Sequence, residues 1–461
     1  MRHDPVTVEI LTPEAAEPKM AAAAGHLLGM GLRPGDRVAF WLGSSSDLLC
    51  AVLGATRVGI IPVLLNANLL EAERDALLAD CHPSHAVLDR ASLEVLFEGP
   101  AVPLAPYPLT RPMHYTSGTT GRPKGVTTGV WDEETAQTVF DDEAAVWRFG
   151  PDDLHMVCSP MYHTVAIRFS AGTLLSGGSL AILSRFDASV ALEVLRTHRP
   201  TTAFLVPTHL QRLLAHPDLG PEEKFDSLRL LAHAGAACPP ALKRAAMERV
   251  APDALFEFYG SSEGQFTVCS SAEWLERPGT VGRARPGRRL FVRPMVDEEG
   301  QLIEDETGVG VIWCEVPPFA SFSYFENPEA TAAAWSDGAF SVGDLGRLDD
   351  DGYLYVTGRR TDLIITGGVN VYPAEVEAAL CELDGVEQVC VFGRDDPEWG
   401  QAVCAAIVGE PGLSVDDVAA GARRVLAPFK RPKTIYLTPT LPIGPTGKVL
   451  HREISTHLGL D

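Results

Sequence analysis

The chain has no paired-cysteine framework. Its nine cysteines (Cys50, Cys81, Cys158, Cys238, Cys269, Cys314, Cys381, Cys390 and Cys404) never stand at CxxC spacing, and their number is odd. That argues against a disulfide scaffold or a zinc ribbon, and it predicts reduced, mostly structural thiols in a cytoplasmic protein. Positive charge is also scarce: 38 Lys and Arg face 61 Asp and Glu, for a net charge of −23. A surface of that sign is a poor match for a nucleic-acid backbone, so nucleic acid is not an expected partner. An anionic ligand would need a local cationic site against the overall field. No uninterrupted apolar run is long enough for a membrane span. The most apolar stretch, Leu48 to Leu70, contains Gly54, Arg57, Gly59 and Pro62. It reads as a buried helix followed by a buried strand, IIPVLL. The opening segment MRHDPVTVEILTPEAAEP has acids and prolines but no apolar core, and does not read as a signal peptide. Two phosphate-binding signatures are missing as well: no GxxxxGK[ST], and no GxGxxG after a strand.

What is present is a chain of 461 residues with 46% hydrophobic and 21% charged residues. This is a globular balance, and the length predicts two or three packed units. Strand-like runs (RVAFWLG, IIPVLL, SLAILS, TTAFLVP, LRLLAHAG) alternate with helix-like ones (SSDLLCAVLGATRVG, VALEVLRTHRP, THLQRLLAHP). The β-α-β rhythm predicts parallel-rich sheets covered by helices. From about residue 279 to 357 short strands (RLFVRP, GVIWCEV, GYLYVTG) and the turns DEEG and DDDG take over, which predicts a small antiparallel β unit. The last hundred or so residues mix AEVEAALCEL and DDVAAGARRVL, which are helical, with QVCVFGR and AVCAAIV, which are strand-like. They read as a small α+β domain. The expected fold class is therefore α/β, with a large N-terminal domain and a small C-terminal one.

One stretch stands out chemically. YTSGTTGRPKGV, Tyr115 to Val126, concentrates hydroxyls, glycines and one lysine in a turn expected between a strand and a helix. Backbone N–H groups and hydroxyls in such a turn are anion donors, Lys124 adds a charge, and phosphate is the natural guest. A surface loop made of turn-formers is the competing reading. FYGSSEGQ, Phe258 to Gln265, joins an aromatic able to stack on a nucleobase, two hydroxyls and a carboxylate suited to Mg²⁺. Asp344 suits a sugar diol, and Lys448 sits in a Gly/Thr turn, GPTGK. Each cluster is weak by itself.

In this order, the clusters resemble the adenylate-forming superfamily of acyl-CoA synthetases, peptide-synthetase adenylation domains and luciferases, over nearly the whole chain. YTSGTTGRPKG, SPMYH (Ser159 to His163), YGSSEG, Gly343–Asp344, GRRTDLIITGGVNVYPAEVE and PTGK carry the resemblance. It implies an N-terminal ATP- and carboxylate-binding domain over 1–361 and a mobile C-terminal domain over 362–461. It implies ATP, Mg²⁺ and coenzyme A. Thr116, Ser117, Gly118, Thr119, Thr120, Gly121 and Lys124 would wrap the β- and γ-phosphates. Tyr259, with Gly260 and Ser261 beside it, would stack on adenine, opposite the Gly235–Ala236–Ala237 turn. Ser262 would touch the α-phosphate and Glu263 would hold Mg²⁺. Asp344 and Arg359 would bind the ribose. Lys448 would bridge carboxylate and α-phosphate. Rotation about Asp362 would then withdraw Lys448, and Gly367 and Gly368 would leave room for a pantetheine tunnel.

His163 reads either as a packed histidine at a helix start or as a gate at the carboxylate pocket. Arg168 reads as a paired helix residue or, if it points into the pocket, as a partner for a second anionic or polar group on the substrate. His209 and His233 are further candidate lining residues. The resemblance departs in several places: Thr361 stands where a lysine usually precedes the hinge acid, YGSSE replaces the commoner YGxTE, the AGAA turn is a variant of a Gly-rich adenine loop, and the first lobe is short between Leu88 and Met113. The last disfavours very long fatty acids. The function expected is an AMP-forming acyl- or aryl-CoA synthetase acting on a small-molecule carboxylate. The alternative is an adenylating enzyme with a non-CoA acceptor, either an amide ligase or a diazotase activating nitrite toward an aromatic amine. Relatives are often homodimers, which leaves that assembly open here.

Overall fold

The computed structural model describes residues 5–116, 123–296, 302–303, 308–359, 362–366, 369–396, 399–444 and 449–460. Two mixed sheets built mainly of parallel strands form the frame of the N-terminal part. The first runs in the order Val8–Leu11, Ser179–Leu183, Leu154–Val157, Thr202–Phe204, Leu230–His233, Leu255–Glu257, Thr267–Ser270 and Arg283–Ala284. Its five central strands are parallel, and antiparallel strands close both ends. The second runs Ser323–Tyr324, Lys124–Thr127, Met113–Thr116, Ile61–Leu64, Arg37–Phe40, His85–Val87. Helices such as Ser46–Arg57 and Thr164–Leu175 pack on these sheets because most side chains of the central strands are apolar, as expected when both faces are covered.

The Leu48 to Leu70 stretch behaves as its texture predicts. Ser46–Arg57 is a helix with Ser45 capping the N–H of Leu48, and Ile61–Leu64 is a wholly buried strand. Arg57 is buried too, with its Nε donating to the Ala105 carbonyl at 2.6 Å. Among the described residues no helix is long and apolar enough to cross a membrane. All nine cysteines are free.

A third, antiparallel sheet gathers Arg289–Arg293, Gly310–Glu315, Trp335–Ser336, Ala339–Phe340, Asp344–Leu348 and Leu354–Arg359. Towards the C-terminus, Val386–Asp396 and Gly400–Gly409 form a long antiparallel hairpin. Ile364–Thr366 and Val369–Val371 extend its sheet on one side, and Thr434–Leu437 adds a parallel edge. The helices Pro373–Cys381 and Val415–Val425 cover one face of it over Val376, Leu380, Val391, Val403 and Val418. The molecule is thus a mixed α/β fold with a large sheet-containing N-terminal part and a smaller α+β unit.

Candidate active site

A strand, not the expected helix, follows the glycine-rich turn: the antiparallel pair Met113–Thr116 and Lys124–Thr127 places Thr116 directly opposite Lys124, at the two ends of the turn. Residues 117–122 of that turn, Ser117, Gly118, Thr119, Thr120 and Gly121 among them, lie outside the described residues. So do Lys448, Gly367, Gly368 and Thr361.

Lys124 and Val126 share one face of their strand, because side chains alternate with a period of two. Tyr324 pairs with Val126 on the neighbouring edge strand. Its ring therefore reaches the diagonal neighbour, and Lys124 Nζ lies 5.0 Å from the ring centroid. The phenol of Tyr324 donates to Glu263 Oε1 at 2.8 Å, with both groups buried. Burial and the Glu263 charge hold that phenol well above its ordinary pKa, so it stays a donor. Nothing in the sequence singled out Tyr324. Its only signal is a polar-tipped aromatic in the short run SFSY.

Glu263 stands on a tight turn. Gly260 bridges to Gln265, the Ser261 N–H donates to the Gly264 carbonyl at 2.8 Å, and a Cβ on Gly260 would lie 2.7 Å from that same oxygen. A glycine is required there, and the turn presses Glu263 inward while Ser262 faces a cavity. Four residues before Glu263, Tyr259 stacks one face on Phe266 at 4.9 Å and donates its hydroxyl to Asp344 Oδ2 at 2.5 Å. Asp344 opens its strand with the backbone of Arg359 opposite it in register. Gly235, Ala236 and Ala237 form an exposed turn just after the strand Leu230–His233, and Gly235 has a φ of +94°. Asp362 is partly buried.

The four candidate lining residues separate. His163 caps the helix Thr164–Leu175, its ring 4.4 Å from that of Tyr162. His209 stacks on Phe186 at 3.9 Å, and burial holds its pKa down to about 4. His233 is fully buried, with Nδ1 4.0 Å from Glu257, whose other oxygen accepts from Lys243 Nζ at 2.6 Å. Arg168 is paired: its guanidinium donates to Glu143 Oε2 and to Gln265 Oε1, each at 2.7 Å. It also lines a cavity of about 30 Å³, whose wall includes Arg111, His114, Thr128, Thr164 and Ser262. Arg111 and His114 were not singled out by sequence, although they frame the entry to the glycine-rich turn.

One further cluster offers metal-ligand atoms among the described residues. Glu377, Cys390 and His451 bring one ligand atom each to within 4.8 Å of one another. His451 Nε2 is 2.7 Å from Glu377 Oε1. Burial opposes the charge on His451, but Cys390 and Glu377 raise its pKa to about 11, so the contact acts as an ion pair.

Residues 10–104 and 112–321 match the AMP-binding enzyme family, and 375–448 match the AMP-binding enzyme C-terminal domain. The chain belongs to the adenylate-forming AMP-binding enzymes. It is an ATP-dependent, AMP-forming ligase. A feruloyl-CoA synthase from Amycolatopsis sp. is 32% identical over 96% of this chain and 92% of that protein. An ATP-bound MatB from Rhodopseudomonas palustris superposes with a TM-score of 0.84 at 28% identity, over 97% of this chain and 93% of the other. The amide bond synthetase McbA from Marinactinospora thermotolerans does so with a TM-score of 0.82 at 26% identity, over 96% and 94%.

Proposed function

We propose that this family member activates a small carboxylic acid with ATP and transfers the acyl group to coenzyme A. The observation that carries the reading is the Lys124–Tyr324–Glu263 chain, with Tyr324 and Glu263 buried, beside the Tyr259–Asp344 pair, at the edge of a cavity reached by Ser262.

In the first half-reaction an acid oxygen attacks the α-phosphorus, the bond to the bridging oxygen breaks, and pyrophosphate leaves with the electron pair. Negative charge shifts onto the phosphates, so preorganised cations and donors should supply most of the rate. Thr116, Lys124 and the turn between them would hold the β- and γ-phosphates. Lys448, from the GPTGK turn, would bridge the acid and the α-phosphate. Tyr259 would offer its free face to adenine, and its hydroxyl would aim Asp344 at the ribose, with Arg359 assisting. Glu263 fits Mg²⁺: a hard carboxylate whose Oε1 is fixed by Tyr324, with Oε2 left for a cation. The ion would neutralise phosphate charge.

For the second half-reaction, residues 362–461 would form a domain that turns about Asp362. Withdrawal of Lys448 and arrival of Gly367–Gly368 would open a narrow path for the pantetheine thiol. The test is AMP formation from ATP, Mg²⁺ and a panel of acids, with and without coenzyme A. A requirement for coenzyme A together with a thioester mass supports the reading. AMP without coenzyme A, with an amide or diazo mass when an amine is added, would move the chain to a non-CoA acceptor.

A further inference from the structure

The cavity beside Ser262 has an unusual lining. Three of its polar atoms are buried without a hydrogen-bond partner among the described residues: His114 Nε2, Thr128 Oγ1 and Thr164 Oγ1. Buried polar atoms left this way ordinarily have a ligand or water to satisfy them. His114 is only 5% exposed, and its Nδ1 lies 2.9 Å from the Tyr162 carbonyl. That carbonyl can only accept, so Nδ1 carries the proton and Nε2 presents a lone pair. Thr164 opens the helix Thr164–Leu175, so the positive end of that helix dipole adds to the field.

Charge points the same way. Arg168 and Arg285 share Glu143, and Arg285 and Arg288 share Asp142. Arg111 interacts electrostatically with the same group and has no ion pair or hydrogen bond of its guanidinium among the described residues; it only lies over Trp131 at 5.4 Å. Four arginines therefore meet two carboxylates, and the excess positive charge sits at a cavity wall in a chain whose net charge is −23. A partly buried surplus of this kind is neutralised by an anion. The cavity, at about 30 Å³, has room for roughly two waters or a group of two or three heavy atoms.

We infer that this cavity seats a planar two-oxygen anion against Arg111, with Thr128, Thr164 and Arg168 around it, so that the acid activated by this enzyme is short and polar. The inference rests on the proposed adenylation reading, because Ser262 connects the cavity to the α-phosphate position in that reading. Two sources carry the same chemistry: the second carboxylate of a short dicarboxylic acid, or nitrite as the activated anion itself. With the dicarboxylic acid its other carboxylate, and with nitrite its own oxygen, bonds to the α-phosphorus, and pyrophosphate leaves with the electron pair of the broken bond. No redox partner is needed. His114 Nε2 accepts a hydrogen bond from water or from a hydroxyl or amine carried by the substrate or acceptor.

The test compares AMP formation from malonate, nitrite, octanoate and cinnamate, in wild type, Arg111→Ala and Arg111→Lys. Malonate or nitrite should be preferred over both apolar acids, and which of the two reacts identifies the source. In Arg111→Ala the KM for the preferred anion should rise about 10- to 150-fold, the range for a lost charge-assisted hydrogen bond, with the KM for ATP unchanged. Arg111→Lys should recover part of the loss. Preference for octanoate or cinnamate, or an unchanged anion KM in folded Arg111→Ala, overturns the inference. If wild type makes AMP from no acid at all, the adenylation reading fails by itself. Calorimetric binding of nitrite and malonate to wild type and Arg111→Ala then decides the cavity: anion binding lost in the variant supports it, and no binding to wild type overturns it.

Discussion

Tyr324→Phe removes one oxygen from the centre of the proposed phosphate and metal site. The ring stays, so its packing on Phe322 at 5.4 Å and its cover over Lys124 are kept. The hydrogen bond to Glu263 Oε1 at 2.8 Å is lost. Glu263 is only 6% exposed, so water cannot readily replace the donor. A hydrogen bond to a charged group is worth about 1.5–3 kcal/mol, which corresponds to about 10- to 150-fold in a binding or rate constant. If Glu263 holds Mg²⁺ for the transition state, the loss should appear in the Mg²⁺ midpoint and in kcat/KM for ATP. Pyrophosphate exchange measured across a Mg²⁺ titration reads both. Tyr324→Leu should lose more, because the lysine also loses its aromatic face, worth about 0.5–2 kcal/mol. A hydroxyl with a purely structural role would lower the melting temperature and leave the Mg²⁺ midpoint in place. That result, or unchanged exchange in both variants, would refute the assignment.

Other outcomes follow from the same structure. Lys448→Ala should abolish adenylation yet spare thioester formation from supplied acyl-adenylate; equal loss of both half-reactions would argue against the proposed withdrawal of the lysine. Lys243→Met should cost about 3–5 kcal/mol in urea unfolding, because it strands the buried Glu257 carboxylate; a change under 1 kcal/mol would show that the pair is not needed. Acid should destabilise the fold early. Burial holds His114, His155, His209 and His233 at about 4 against an ordinary value of 6.5. The unfolded chain takes up these protons first, so the stability present above pH 6.5 is lost as pH falls toward 4, at up to about 1.4 kcal/mol per pH unit for each imidazole. Equal urea midpoints at pH 7.5 and pH 5 would contradict this.

Much of the fold was legible because its signals are local. Ile61–Leu64 and Ser179–Leu183 are unbroken apolar runs, and Ser46–Arg57 follows its own cap. The nucleotide-binding candidates lie in short motifs, so their order along the chain carried the family. What stayed hidden depends on pairing across distance. Tyr324 meets Lys124 only because an edge strand 200 residues later pairs with Val126 in one register. The sequence alone leaves Arg168 between a paired and a pocket-lining role; in the structure it is paired to Glu143 of the preceding helix and also lines the cavity. Arg111 and His114 abut the glycine-rich stretch, yet only the packing of Thr164 and Ser262 across from them makes a cavity. The local sequence also leaves His233 as a candidate beside the acyl pocket; the strand Leu230–His233 sets it, fully buried, next to the Glu257–Lys243 pair.

In the proposed reaction an oxygen of the acid attacks the α-phosphorus of ATP at this site. Single-turnover reaction of ¹⁸O-labelled acid with ATP and Mg²⁺, read by mass spectrometry, tests it directly. Attack of this kind yields AMP carrying one labelled oxygen from the acid and unlabelled pyrophosphate once the acyl group has been transferred. Unlabelled AMP, or ADP with label in inorganic phosphate, would contradict it.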